Sequence, residues 1–170
     1  MKLFSFQSFK QRLRYKRKRF LRMLRNLEKK PPRNLQKKVI AAGKNVWDEV
    51  NCLSCANCCK AMTPTYTAKD MKRISAHLGM TVEEFKKRWL KKERGSGDWI
   101  NQTTPCQFLD LKTNYCKIYA VRPADCAEFP HLKKKAVDYM HIHRQNIDEC
   151  PATFRMVENM EVLLSNGVKS

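Results

Sequence analysis

The sequence predicts an α+β fold: a small, mainly helical cysteine-cluster domain with a short β-hairpin, preceded by a basic helical arm. Hydrophobic residues recur at helical spacing over much of the chain, and only five of the 170 residues are glycine. Eight cysteines are present, four of them within residues 52–59. The first thirty residues contain twelve Lys and Arg against one acid, Glu28. These observations predict a basic arm at 1–32, a cysteine-rich metal-binding domain at 33–165 and a short tail at 166–170.

The basic arm is predicted to be helical over residues 6–27. Phe9, Leu13 and Phe20 follow helical spacing, but Lys16 and Arg17 interrupt the apolar stripe. We therefore expect that this face is not buried as a continuous core face. A basic helix of this kind suits an anionic surface, which leaves a membrane, RNA or an acidic protein open as the partner, beside a merely solvated arm.

The N-terminus also bears on the compartment. Basic residues interrupt its apolar positions, so the unbroken apolar core of a signal peptide is absent, although an Arg-rich mitochondrial transit peptide stays open. No stretch approaches the roughly 20 consecutive apolar residues of a membrane span. We expect a cytoplasmic protein, or one peripheral to a membrane, in which the cysteines are thiols or metal ligands and not disulfides.

Local signals predict the scaffold elements. Pro31 and Pro32 end the arm, and Asn34 is placed to cap a helix that reaches residue 49. Two Thr-x-x-acid sequences form capping boxes that predict helices at 68–78 and 82–92, starting after Thr67 and Thr81.

The second half of the chain carries shorter signals. A strand is expected to begin at Trp99, and the segments around Cys106 and Cys116 flank a turn, which predicts a β-hairpin with one cysteine on each arm. Partial alternation predicts a further strand over residues 136–143. Cys150 and Pro151 are expected to open a last helix.

Residues 52–59 carry the main functional signal. The C-x2-C-x2-C spacing lets successive sulfurs converge on one ion or cluster. Cys58 and Cys59 are adjacent, so one of them is expected to serve a second group or to bind no metal. The candidate metal ligands are all eight cysteines: Cys52, Cys55, Cys58, Cys59, Cys106, Cys116, Cys126 and Cys150.

The division of these thiols can be predicted from position. Cys52, Cys55 and Cys58 should share a centre with Cys126, whose place at a helix start favours thiolate. Cys106 and Cys116, facing each other on the hairpin, should form a second group with Cys59 and Cys150. Thiolate-only ligation selects Zn²⁺ or an iron–sulfur cluster, at one or two sites. No catalytic residue stands out.

The complete pattern joins C-x2-C-x2-C-C to Pro-Cys-x-Phe-Leu, Cys-x-Ile-Tyr-x-x-Arg-Pro-x-x-Cys-x-x-Phe-Pro and a late Cys-Pro. It resembles the CxxCxxCC (YkgJ-like) family of zinc- or iron-chelating domains over roughly residues 47–155. The resemblance implies metal or iron–sulfur binding. One branch of that family resembles flagellin lysine N-methylases, which implies the enzyme alternative. The two hypotheses are a non-enzymatic metal-binding protein with a structural, sensing or binding role, and a lysine N-methylase-like enzyme or redox component that uses an iron–sulfur cluster.

Overall fold

The computed structural model describes residues 5–165. The chain divides into two compact units: unit 1 comprises the residues up to Asn51 and those from Pro130 onward, and unit 2 is Cys52–Phe129. The predicted boundary at residue 32 falls inside unit 1, and the predicted tail lies outside the described residues. Within the described part, no helix is both long and apolar enough to span a membrane.

The described residues are mainly helical with a small antiparallel sheet, so the predicted fold class is confirmed. The elements, in chain order, are α1 (Phe6–Lys29), α2 (Leu35–Gly43), α3 (Val46–Glu49), α4 (Cys52–Cys55), α5 (Asn57–Ala61), β1 (Thr65–Tyr66), α6 (Ala68–His77), α7 (Val82–Trp89), β2 (Leu90–Lys92), β3 (Trp99–Asn101), a 3-10 turn (Tyr119–Val121), α8 (Ala124–Glu128), α9 (Ala136–Asn146) and α10 (Pro151–Ser165).

In unit 1, helix α1 packs against α9 and α10, and α10 also packs against α2 and α3. The apolar face of α1 is buried, which makes the expectation of an unburied face wrong; its buried residues are Phe9, Leu13, Phe20, Leu24 and Leu27. The interrupting cations pair with acids of unit 1. Lys16 Nζ lies 2.7 Å from Glu158 Oε1, and Arg17 donates two bonds of 2.7 Å to the Asp148 carboxylate. The methylene stem of a long basic side chain can cover an apolar face while its charged end reaches away to a polar partner.

Two other helices of unit 1 correct the sequence predictions. The helix predicted from Asn34 to residue 49 is two helices, α2 and α3, and Asn34 makes no capping side-chain bond. The strand predicted at 136–143 is helix α9. Its buried positions, Ala136, Met140 and His143, are spaced by four and three residues, as on one face of a helix. The helical period of the hydrophobic pattern therefore outweighs the partial alternation that predicted a strand.

In unit 2, both capping boxes form as predicted and start α6 and α7. The sheet has strand order β1-β3-β2 and is antiparallel, with Thr65 opposite Ile100 and Lys91 opposite Ile100 on the other side. The short hairpin is therefore β2–β3, not the predicted pair of segments around Cys106 and Cys116. Those segments share a single bridge, Leu109 to Cys116.

The core of unit 2 lies beneath these elements. It consists of Tyr66, Met71, Ile74, Phe85, Leu90, Phe108 and Ile118. Cys106 and Cys116 are partly buried against this cluster. Because Phe108 and Ile118 each follow a cysteine by two residues, anchoring these two side chains also positions the two thiols.

Candidate metal centre

The four clustered cysteines of unit 2 lie on two short helices, α4 and α5, and not on one open loop. Ala56 separates the helices and has a left-handed conformation with φ 46°. Its N–H donates to the Cys52 carbonyl oxygen at 3.0 Å and its own carbonyl accepts from the Lys60 N–H at 3.2 Å. The left-handed residue changes the chain direction inside the motif, so the cysteines of the motif are divided between two turns.

Cys58 and Cys59 were expected to serve different groups, but their sulfurs are only 3.9 Å apart. A tetrahedral Zn²⁺ with Zn–S bonds of about 2.3 Å has sulfurs separated by about 3.8 Å. The adjacent pair can therefore contact one ion. Both residues lie on the same short helix, α5, and their adjacency does not separate the two sulfurs.

The Cys106 segment is tied directly to this motif. The Cys106 N–H donates to the Cys59 carbonyl oxygen at 2.8 Å. The sulfur of Cys106 in turn is approached by the backbone N–H groups of Phe108 and Leu109. The sulfur of Cys116 is approached in the same way by the Ile118 N–H, two residues on. Burial raises the pKa of both thiols, and these N–H groups partly offset that increase.

Helix α6 positions the segment that carries Cys126. Buried Asp70 accepts the Ala124 N–H at 3.0 Å and the Arg73 guanidinium at 2.7 Å, while Arg73 also donates to the Arg122 carbonyl at 2.9 Å. These contacts hold both residues that flank Pro123, just before α8. The capping box of α6 therefore also anchors the Cys126 segment.

The surroundings of Cys126 oppose ionisation. Burial raises the pKa of its thiol above the usual value, and the neighbouring groups Cys59, Asp125, Cys106 and Cys116 raise it further. The expectation that the helix start favours the thiolate form of Cys126 was wrong for the thiol without a bound metal. Helix α8 has five residues, and its end effect is smaller than burial beside other acidic groups.

Cys59 is the common neighbour of the other thiols. A hydrogen bond from Cys58 lowers the pKa of Cys59 to about 7, and Lys60 acts in the same direction. Cys59 in turn contributes to the raised pKa of Cys52, Cys106, Cys116 and Cys126, in each case after burial. Cys59 is therefore close to thiols from every part of the cysteine pattern within unit 2.

Three further side chains at the centre were not singled out from the sequence. Tyr66 is buried, and burial followed by the nearby Cys106, Cys126 and Cys116 raises its pKa. Its hydroxyl donates to Asn101 Oδ1 at 2.6 Å, and the Asn101 side chain also faces Cys106. Arg122 partly offsets the increase in pKa that burial causes at Cys52 and Cys116. No local motif marks Tyr66 or Asn101, because they lie on strands and reach the thiols only through the fold.

The structure brings together seven of the eight predicted ligands in unit 2. It places Cys126 near Cys59, Cys106 and Cys116. The predicted division had grouped Cys126 with Cys52, Cys55 and Cys58 instead. Cys150 is buried in unit 1, one residue before α10. None of the eight cysteines, all of which lie within the described residues, is in a disulfide. Within residues 5–165 no three His, Cys, Asp or Glu side chains reach metal-binding distances as they stand, so binding requires the thiols to draw closer.

The donor set fits a thiophilic metal. Buried thiols that raise one another's pKa ionise together only when a cation compensates their charge, and a bound metal deprotonates a coordinating thiol outright. Zn²⁺ and iron–sulfur clusters are the groups that thiolate donors select. The N–H groups at Cys106 and Cys116 and the Asn101 amide supply the outer hydrogen bonds that such centres use.

Comparisons with known proteins agree with this chemistry. The model of the CxxCxxCC family, described as a "putative zinc- or iron-chelating domain", matches residues 51–149. That range contains seven cysteines and ends just before Cys150. An uncharacterised protein of Methanocaldococcus jannaschii is 39% identical over 82 residues, which cover 48% of this chain and 44% of the relative. The chain thus spans less than half the length of that relative. No solved structure matches. Because the family model covers more than half of the chain, the protein belongs to the CxxCxxCC family.

Proposed function

We propose that unit 2 binds Zn²⁺ or an iron–sulfur cluster through its seven cysteines and that the centre has a structural, non-enzymatic role. Cys59, Cys106, Cys116 and Cys126 form the inner group, with Cys52, Cys55 and Cys58 on the α4–α5 side. The observation that carries the proposal is the convergence of these separate segments around Cys59.

The structural role is supported by the segments that the centre would join. The described residues 102–118 contain no helix or strand of their own beyond the Leu109–Cys116 bridge. They are held by hydrogen bonds on either side of that bridge, from the Lys117 N–H to the Phe108 carbonyl at 2.8 Å and from the Asp110 N–H to the Tyr115 carbonyl at 2.9 Å. A metal that links Cys106 and Cys116 to α5 and α8 would cross-link this segment to the helices. The free energy of metal binding then contributes directly to folding.

The metal would be identified from protein purified without oxygen. Colourless protein that contains zinc indicates a Zn²⁺ centre, and protein with visible absorption and stoichiometric iron and sulfide indicates an iron–sulfur cluster. A tight C-x2-C-x2-C sequence followed by a distant cysteine is typical of iron–sulfur ligation, whereas the 3.9 Å sulfur pair suits Zn²⁺. Protein with neither metal, after anaerobic purification and attempted reconstitution, would refute the proposal.

A matched pair of variants tests the choice of residues. Cys126→Ser should lose metal, because it removes an inner thiol, while Cys150→Ser should retain it. Both substitutions exchange one sulfur for oxygen at a cysteine that is largely enclosed. Equal loss of metal in both variants would show that Cys150 belongs to the ligand set after all.

A further inference from the structure

Helix α1 carries a second feature that the metal centre does not use. Five cations, which we call the outer basic row, lie at successive steps of four, four, three and four residues: Arg14, Lys18, Arg22, Arg25 and Lys29. All five are exposed. At 100° per residue they fall within an arc of about 80° opposite the buried face, and at 1.5 Å per residue the row is about 22 Å long.

The remaining cations of α1 have partners inside unit 1. Arg12 and Lys16 lie 2.6 and 2.7 Å from Glu158, Arg17 pairs with Asp148 and Arg19 pairs with Glu161. Lys10 is 3.9 Å from Glu149. These five charges are explained by the packing of α1 against its neighbours.

The outer basic row has no such explanation. Among the described residues, no acid forms an ion pair with any of its members, and the one polar contact of Arg25 is a 3.4 Å bond to the Leu21 carbonyl of the same helix. Like charges three or four residues apart on a helix destabilise it slightly. Five of them in succession therefore cost stability within the fold, and an anion outside the chain would offset that cost.

The buried face of α1 decides between the two main classes of anionic partner. A helix that lies on a membrane inserts its apolar face among the lipids. In this helix Phe9, Phe20 and Leu24 are fully buried and unavailable for insertion. The outer side offers instead one large aromatic side chain beside the cations, Tyr15, which is 82% exposed. Basic residues with an interleaved aromatic suit a phosphate backbone with accessible bases.

We propose that the outer basic row binds the phosphodiester backbone of a nucleic acid. The row supplies up to five phosphate contacts along one straight edge, and Tyr15 supplies a surface on which a base can stack. This binding is independent of the metal centre in unit 2 and does not rest on it.

Fluorescence anisotropy of the full chain with a single-stranded oligouridylate, or with a mixed-sequence DNA duplex, tests the proposal and distinguishes the two sources of phosphate. If all five cations contact phosphate, the slope of log K against log salt should be about −3.5 for the single strand and −4.5 for the duplex. Between about 50 and 200 mM salt this corresponds to a loss of affinity of roughly 100- to 500-fold.

Two triple variants with the same change in charge separate the row from net charge. Arg14→Gln, Lys18→Gln and Arg22→Gln together should reduce the slope by about two to three units and greatly weaken binding. Lys69→Gln, Lys72→Gln and Lys87→Gln, at exposed positions of unit 2, should leave both nearly unchanged. Far-ultraviolet circular dichroism and metal content should match the parent in both variants.

The proposal would be overturned if the two triple variants bind equally, or if neither nucleic acid binds. It would also be overturned if vesicles of phosphatidylcholine and phosphatidylserine bind the chain more tightly than either nucleic acid at the same salt concentration. That last outcome would assign the row to a membrane surface.

Discussion

Unit 1 and unit 2 are stabilised by different means. Over its described residues unit 1 has five helices and a broad apolar core. In that core the Phe154 ring lies 5.4 Å from the Phe9 ring and 5.5 Å from the Phe20 ring. Several of its charged side chains are paired, as in the bidentate contact of Arg155 with Glu49 at 2.6 and 3.0 Å. Unit 2 has a core of seven buried residues and a long segment without regular structure around its thiols.

The difference indicates where the stability of each unit comes from. Burial of several large apolar side chains is sufficient for a helical unit. A small unit with few buried side chains gains much of its stability from a disulfide or a metal, and no disulfide joins the cysteines of unit 2. We therefore expect unit 1 to respond chiefly to core substitutions and unit 2 to loss of metal.

Metal removal should have the largest effect. Chelation or Cys59→Ser should unfold much of Cys52–Phe129 while the helices of unit 1 stay folded, since metal binding contributes about 10–16 kcal/mol in small zinc domains. Hydrogen exchange followed by mass spectrometry measures each unit separately. Equal loss of protection in α1, α9 and α10 would contradict the contrast between the units.

Phe154→Ala should have the next largest effect, with a loss of about 3–5 kcal/mol in the free energy of unfolding of unit 1. Phe154 is fully buried and contacts the rings of Phe9 and Phe20. Val162→Ala, on an exposed part of the same helix, should change stability by less than about 0.5 kcal/mol. Chemical denaturation measures both, and metal content should equal that of the parent. A loss of metal in Phe154→Ala would show that the units are not energetically separate.

His143 should make the stability of unit 1 depend on pH. It is fully buried with both ring nitrogens unpartnered, and burial, followed by His131 and His141, lowers its pKa to about 4 from 6.5. Above pH 6.5 the residue is neutral in both states. As the pH falls from 6.5 to 4 only the unfolded chain takes up the proton, so stability decreases, by up to about 3 kcal/mol.

Unfolding titrations of the parent and His143→Leu test this dependence. The variant should lose most of the decrease between pH 6.5 and 4, and the matched control His77→Gln, at an exposed position on α6, should keep it. A parent whose stability is constant over this range would disprove the assignment to His143.

The two capping boxes of unit 2 should give the smallest effects, and unequal ones. Asp70→Ala removes the cap of α6 together with the partners of the Ala124 N–H and Arg73, for a cost of about 2 kcal/mol. Glu84→Ala removes only the N3 acid of an exposed capping box and should cost less than Asp70→Ala. Metal affinity should fall in the Asp70 variant only. Equal metal affinity in the two would show that Asp70 does not position Cys126.

Predictions from local chemistry succeeded where the determining contacts are close in sequence. The capping boxes at Thr67 and Thr81 specify their helix starts through residues three positions apart, and both form. Helix α10 begins at Pro151 as expected, since proline suits a first turn. The strand predicted at 136–143 failed because alternation over so few residues does not exclude a helical period. Met140 and His143, three residues apart, are both buried, which is the spacing of a helix and not of a strand.

Residue type alone led to the prediction of a thiophilic metal, because the thiol is the donor whatever its surroundings. The sequence likewise determined that α1 is basic and helical. Only the tertiary structure decided which thiols are neighbours, since Cys59 and Cys126 are 67 positions apart in the chain and the contacts of Asp70 and Arg73 hold the Cys126 segment in place. It also decided which cations of α1 are exposed. Glu158 and Asp148, more than a hundred residues away, pair with the cations that flank the buried face and leave the outer basic row to solvent.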